Sequence, residues 1–143
     1  MALYMTQEAG LELPAGWIDA SINLLEYARP GGPIRVGVSR TERGAKDLSA
    51  CVEDRLTEQR RKLPFFELEG KSARTVAGQP AIEVLARHEE ASQRTYHRSL
   101  SLVIGKRFLV LIASGPEAHR AEIDAIFERA ASTLALRAPS PTS

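Results

Sequence analysis

The residues most often used for metal binding and nucleophilic chemistry are sparse in this sequence, which contains three histidines and one cysteine. His88 and His97 fall on neighbouring strand-like segments, but no cysteine or carboxylate is spaced to complete a metal site, so both are expected at the surface. Cys51 lies in a helix-like pattern and is expected to be a buried or half-buried structural thiol. The sequence therefore predicts neither a metal nor a cofactor.

Serines and carboxylates form no catalytic pattern either. Ser99 and Ser101 alternate with leucines along one segment, without the sharp turn and the nearby base that a nucleophilic serine needs. Glu67 and Glu69 project from one face of a strand and in principle offer paired carboxylates, but glutamates are common at protein surfaces. No glycine-rich loop joins a strand to a helix in a phosphate-binding pattern. We therefore expect that the protein is not an enzyme.

Composition narrows the class of protein further. The chain has 143 residues, of which 43% are hydrophobic and 26% charged, as in an ordinary globular domain. A net charge of +1 gives no case for binding nucleic acid or an anionic membrane. The first residues resemble no signal peptide, and no apolar run is long enough to span a membrane. We expect a soluble cytoplasmic protein without membrane insertion, with one domain over residues 1–137 and a disordered tail over 138–143.

Short apolar runs separated by turn signals predict eight strands. The strands are expected at residues 2–7, 10–13, 19–28, 33–41, 64–78, 79–90, 94–104 and 107–113. Turns such as "RPGGP" and "EASQ" connect several of them closely, which favours antiparallel pairing. The run "FLVLIA" at 108–113 is apolar on both faces, which is typical of a central strand covered twice.

Two amphipathic helices complete the pattern. The first is expected over Asp47–Leu63 with Asp47 as N-cap, and Gln59 interrupts its apolar stripe. The second is expected to open at "SGPE", where Ser114 and Glu117 have the spacing of a capping box. The order β-β-β-β-α-β-β-β-β-α predicts an α+β fold, a mainly antiparallel sheet with two packed helices. We expect both helices on one face, which leaves a second apolar face for a partner.

Four stretches of the sequence carry a family resemblance. They are "LELPAGWIDASINLLEY", "LTEQRRKLPFFELEG", "VAGQPAIEVLARHEEASQRTYHRSLSLVIGKRFLVLIAS" and "FERAASTLALR". In order and length they resemble the DcrB-like proteins, in particular the Eag chaperones of bacterial type VI secretion, over almost the whole chain. The resemblance implies a PsbP-like fold, in which a curved antiparallel sheet carries helices, and it implies a homodimer.

The resemblance also implies a function. Eag chaperones hold the apolar N-terminal transmembrane segments of effectors, commonly Rhs-type toxins that precede a PAAR domain, until the effector is loaded on the secretion spike. By resemblance, the groove for this client is expected at Ile22, Leu24, Val36, Val38, Gln59, Leu63, Leu100 and Leu102. Removing a client helix from water is favourable by about 25 cal/mol per Å² of apolar surface.

Two other functions stay open on the sequence alone. One is a small-ligand-binding or enzyme domain with a pocket in the same fold, which the lack of a catalytic pattern disfavours. The other is a structural subunit like the photosystem-associated relatives, which the absence of an export signal disfavours. His97 and Arg98 place polar groups near the floor of the expected groove, so its extent along that strand is also open.

Overall fold

The computed structural model describes residues 2–5, 10–13 and 22–134 of the chain. Within these ranges the strands and helices follow the predicted order, and the α+β class is confirmed. The elements are β1 Ala2–Met5, β2 Gly10–Leu13, β3 Ile22–Tyr27, β4 Ile34–Glu42, α1 Leu48–Lys62, β5 Glu67–Val76, β6 Gln79–Glu90, β7 Gln93–Ile104, β8 Arg107–Pro116 and α2 Arg120–Ser132. A 3-10 turn at Glu117–His119 joins β8 to α2. The predicted tail at 138–143 lies outside the described residues.

Six strands form one open, curved antiparallel sheet in the order β3-β4-β8-β7-β6-β5. β1 and β2 pair with each other in a separate two-stranded sheet. β8 lies inside the large sheet, as its two apolar faces predicted, and β5 lies at an edge. Among the described strands, β3 forms the other edge.

The two helices lie on opposite faces of the sheet, which corrects the expectation that both cover one face. Leu56 of α1 belongs to one buried cluster with Val110 of β8, whereas Phe127 of α2 belongs to a second cluster with Leu111. Successive residues of a strand point to opposite faces, so each apolar face of β8 receives its own helix. We call these surfaces the α1 face and the α2 face.

The strand register shows which residues share a face, because directly paired residues of antiparallel strands point to the same side. One row on the α1 face consists of Leu24, Gly37, Ile112 and Ser99. The neighbouring row, on the α2 face, consists of Leu25, Val36, Ala113 and Arg98. Leu24 and Leu25 are thus adjacent residues of one strand that point to opposite faces of the sheet.

The helix ends agree with the sequence prediction in one case and differ in the other. Asp47 caps α1 as expected, since its carboxylate accepts a 2.8 Å hydrogen bond from a backbone N–H of the first turn. The capping box predicted at Ser114 is wrong, because β8 continues through it to Pro116, which pairs with Thr95 of β7. α2 begins only at Arg120, without a side-chain cap. Of the helices in the described ranges, neither is long and apolar enough to cross a membrane.

Candidate functional site

The eight positions expected to line a groove do not share one surface. Leu24 lies on the α1 face of the edge strand β3 and is 57% exposed. Leu100 and Leu102 lie on the α2 face and are 0% and 1% exposed, so they fill the core beneath α2 instead of lining an open groove. The reason is the register: β3 pairs Leu24 with Gly37, so even-numbered residues of β3 and of β4 point to opposite faces.

The remaining expected positions are divided in the same way. Val36 and Val38 lie on the α2 face, half-buried against the core cluster of α2. Gln59 and Leu63 are half-buried, the former on α1 and the latter at its C-cap. Ile22 belongs to β3, and its side chain lies outside the described residues. The positions expected from β3 and from α1 therefore lie on the same side of the sheet, the α1 face.

An accessible strip runs beside α1 over β3, β4 and β8, and we call it the edge strip. Its members on the α1 face are Leu24, Gly37, Ser39, Ile112 and Ser114. α1 makes its main contacts with β6 and β7, and none of these strip residues belongs to the buried cluster of α1. Leu24 is exposed, and Ile112 is only half-buried. Gly37 stands between Leu24 and Ile112 in the register and is buried, so the accessible side chains of the strip are Leu24 and, in part, Ser39, Ile112 and Ser114.

Polar side chains without partners lie between α1 and β7. His97 is 2% exposed, and neither of its ring nitrogens has a hydrogen-bond partner. Ser101 Oγ and Gln59 Oε1 lack partners as well. Buried polar groups are normally paired, so this concentration is unusual. The surface position expected for His97 is wrong, because its ring is buried beside Phe66, and the half-buried His88 ring meets it edge to face with the ring centroids 5.4 Å apart.

Arg55 of α1 adjoins these groups, and sequence reasoning missed it. Its Nη1 donates to Ser99 Oγ at 3.3 Å, and within the described ranges no carboxylate lies against the guanidinium. Burial lowers the pKa of Arg55 to about 10. The signal was present in the sequence: Arg55 and Gln59 stand four residues apart within the stripe of α1 that faces the sheet, where apolar residues are expected.

Burial of the His97 imidazole should make the stability of the fold sensitive to acid. Burial, aided by the nearby His88 and Arg55, lowers the pKa of His97 from about 6.5 to about 3. The unfolded chain then binds this proton more readily, so the stabilisation from neutral His97 is complete above pH 6.5 and is lost as the pH falls towards 3. We expect this group to cost about 2–3 kcal/mol of unfolding free energy between about pH 7.5 and 4.5.

Urea unfolding of the wild type and of His97→Gln at those two pH values measures this cost. The variant should lose less stability on acidification than the wild type, since glutamine does not titrate. Equal losses in both proteins would show that His97 does not carry the acid sensitivity.

The histidines and the cysteine do not form a metal site within the described residues. Within the described ranges, no group of three or more His, Cys, Asp or Glu residues is arranged to hold one. His88 and His97 supply two imidazoles without a third ligand. Cys51 is buried, as expected, and burial raises the pKa of its thiol away from the reactive thiolate range.

A separate apolar cleft of about 220 Å³ lies on the α2 face. Its apolar lining consists of Leu25, Tyr27, Ile34, Val36 and Ile126. Leu25 and Tyr27 are 59% and 58% exposed. Pockets for small molecules usually measure about 300–1,000 Å³, so this cleft is shallow for a ligand. The edge strip with its polar wall on α1 is therefore the stronger candidate site.

Solved structures share this fold. A protein of unknown function, PA94 from Pseudomonas aeruginosa, is 23% identical with a TM-score of 0.83, covering 98% of this chain and 99% of that one. LpqN of Mycobacterium tuberculosis, involved in cell envelope biogenesis, is 18% identical with a TM-score of 0.61, covering 76% of this chain and 65% of LpqN. CyanoP, the cyanobacterial PsbP of Synechocystis sp. PCC 6803, is 11% identical with a TM-score of 0.56, covering 89% and 99%. The fold is thus PsbP-like, as predicted.

The family of this chain is assigned from a match along its sequence and not from its similarity to these solved structures. No curated protein sequence matches the chain. The DcrB family model, in contrast, matches residues 8–133, which is most of the 143-residue chain and includes β3, α1 and the whole large sheet. The chain therefore belongs to the DcrB family.

Proposed function

We propose that this protein is a cytoplasmic chaperone that binds the apolar N-terminal transmembrane segments of a type VI secretion effector of the Rhs/PAAR type. It shields these segments until the effector is loaded on the secretion spike. The observation that carries the proposal is the edge strip, where exposed Leu24 and half-buried Ile112 lie outside the buried cluster of α1. Membership of the DcrB family and the resemblance to Eag chaperones support it.

The edge strip and α1 suit an apolar helix for a physical reason. A soluble monomer rarely exposes more than a few hundred Å² of contiguous apolar surface, and a transmembrane helix exposes far more. The strip provides a floor, α1 provides a wall, and Gln59 adds an unpartnered amide oxygen on that wall. A helix also ends with unpaired backbone groups, which polar side chains of a chaperone can satisfy. Apolar contact thus supplies affinity, and the polar wall limits how the client can lie.

We also propose a homodimer. β3 is an edge strand of the described sheet and carries three large side chains that are more than half exposed, namely Leu24, Leu25 and Tyr27. An apolar edge strand invites pairing with another chain. Light scattering at concentrations on the order of tens of micromolar should give twice the 15.7 kDa mass of one chain. A mass of one chain under these conditions would count against the dimer.

Co-expression tests the chaperone proposal directly. An effector gene beside the gene for this protein should encode apolar N-terminal segments. Its first ~60 residues, enough for two membrane-length helices and a connection, should be insoluble alone and should co-purify with this protein when both are expressed. A segment that stays soluble alone, or that never co-purifies, would overturn the proposal.

A second candidate is a small-ligand-binding or structural domain of the PsbP-like fold that acts at the cell envelope without catalysis. The likeness to LpqN favours it, since that protein is involved in cell envelope biogenesis. Cell fractionation separates the two candidates. The chaperone belongs with the cytoplasmic fraction, whereas the envelope domain belongs with the envelope.

A further inference from the structure

Arg55 differs from the other arginines that approach the interior of this fold. Arg98 contacts the carboxylates of three residues and Arg87 contacts those of three others. Arg55 has only the Ser99 hydroxyl, at 3.3 Å, and no carboxylate among the described residues. Withdrawing a charge from water is costly unless it is paired, so a half-buried guanidinium that meets no carboxylate of the described residues points to a missing anion.

The guanidinium borders the edge strip. Glu53, on the other flank of α1, bonds to Lys71 of the edge strand β5, so that flank faces away from the strip. Arg55 instead reaches Ser99 of β7, which stands in the same register row as Leu24. Arg55 therefore lies where the edge strip adjoins α1, within reach of a group bound on the strip.

The polar groups beside Arg55 are all able to donate a hydrogen bond. Ser99 accepts from Arg55 and keeps its own hydroxyl proton for a ligand. His97 and Ser101 are buried without partners, and a neutral imidazole carries one N–H while a serine carries one O–H. Donors around an unpaired guanidinium match an anion, and its planar fork matches a carboxylate in particular.

We propose that Arg55 and Ser99 bind a carboxylate whose apolar body lies in the edge strip. Its source is an acidic side chain next to the apolar segment of the client, and this assignment of the source rests on the proposed function. The carboxylate site itself does not, because it follows from the unpaired guanidinium and the donors beside it.

Octanoate and octanamide are the probes, since they share an apolar chain and differ in charge. Titrations followed by NMR should show octanoate shifting the Arg55 side-chain and Ser99 amide signals, with an affinity at least about tenfold above that of octanamide. Arg55→Gln should abolish this preference, and Arg61→Gln, which removes an exposed arginine paired with Glu58, should keep it. Absence of octanoate binding, equal binding of both probes, or a preference that survives in Arg55→Gln would overturn the site.

The melting temperature of a second Arg55 variant shows whether loss of the guanidinium destabilises the fold. Since no carboxylate of the described residues lies against Arg55, Arg55→Met should leave the melting temperature of the free protein unchanged or raised. A lowered melting temperature would show that the guanidinium already has a stabilising role in the free protein, and would overturn the inference.

Two apolar 20-residue peptides, one ending in Glu and the other in Gln, identify the source of the carboxylate. Preference for the Glu peptide that Arg55→Gln removes assigns it to a polypeptide client. If the two peptides bind equally while octanoate still binds more tightly than octanamide, the carboxylate does not come from an acidic residue of the client. The site then belongs to a free amphiphilic carboxylate. Failure of both peptides to bind counts against the proposed function alone, and the octanoate result still decides the site.

Discussion

Replacing Leu100 by aspartate is expected to unfold the protein at neutral pH, whereas the same replacement at Leu24 leaves the fold intact. Leu100 is 0% exposed in the core beneath α2, so the new carboxylate would be buried without a partner. Such a charge costs about 3–5 kcal/mol, a large part of the about 5–15 kcal/mol that stabilises an ordinary domain. Leu24 is 57% exposed on the edge strand, so water still reaches a charge there.

Circular dichroism with urea unfolding separates these two variants. The unfolding free energy of Leu24→Asp should stay within about 0.5 kcal/mol of the wild type, as is usual for exposed positions. If Leu24→Asp were as unstable as Leu100→Asp, Leu24 would belong to a closed core and not to an accessible strip. A fully stable Leu100→Asp would contradict the packing of α2 on the sheet.

Replacing Arg98 by methionine is expected to cost about 3 kcal/mol of unfolding free energy. Arg98 lies on the α2 face and bonds to Glu83, Glu128 and Asp124, so it fastens α2 to the sheet. Glu83 is only 7% exposed, and without Arg98 it retains Arg74 at 3.0 Å as its remaining partner in the described network. Breaking one partner of a buried ion pair leaves the other charge poorly compensated, which is the main source of the cost.

The double variant Glu83→Leu/Arg98→Met tests this reason. Apolar residues of similar volume often replace a buried ion pair without loss, so the double variant should recover most of the stability that Arg98→Met loses. Arg61→Met is the control, since that arginine pairs with Glu58 on the exposed side of α1 and should matter by less than about 0.5 kcal/mol. A double variant less stable than Arg98→Met alone would contradict the account of this network.

The elements of this fold could be predicted because their signals are local. Alternation of apolar residues, turn residues and the cap at Asp47 each act over a few positions, and the observed strands and α1 follow them closely. The start of α2 was misplaced because the competing signal is not local. Ser114 and Glu117 have capping-box spacing, but pairing of β8 with β7 holds the chain extended up to Pro116.

The faces of the sheet could not be predicted from periodicity. Alternation shows that Leu24 and Ile22 share a side of one strand, and that Val36 and Val38 share a side of another. Only the pairing of the two strands shows whether those sides agree, and a shift by one residue reverses the answer. Here Leu24 pairs with Gly37, so the expected groove divides between two faces. The placement of one helix on each face follows instead from the packing of α1 against Val110 and of α2 against Leu111.

The polar wall of the candidate site was visible in the sequence only in part. Gln59 was noticed because it interrupts an apolar stripe, while Arg55 in the same stripe was not singled out. A long arginine side chain can lie over an apolar surface with its charge in water, so its position alone does not indicate a site. Its partial burial, and the lack of a carboxylate beside it in the described part of the chain, do indicate a site and are properties of the folded chain.

The central claim is that the edge strip on the α1 face holds an apolar segment, and adjacent residues of β3 provide its most direct test. Leu24 and Leu25 are 57% and 59% exposed and point to opposite faces. The measurement is the affinity of a labelled apolar segment from the neighbouring effector for Leu24→Asp and Leu25→Asp, with light scattering to confirm equal oligomeric states. We expect at least about tenfold weaker binding for Leu24→Asp, because apolar client surface then meets an unpaired charge, and nearly unchanged binding for Leu25→Asp. Unchanged binding by Leu24→Asp, or equal losses in both variants, would contradict the account.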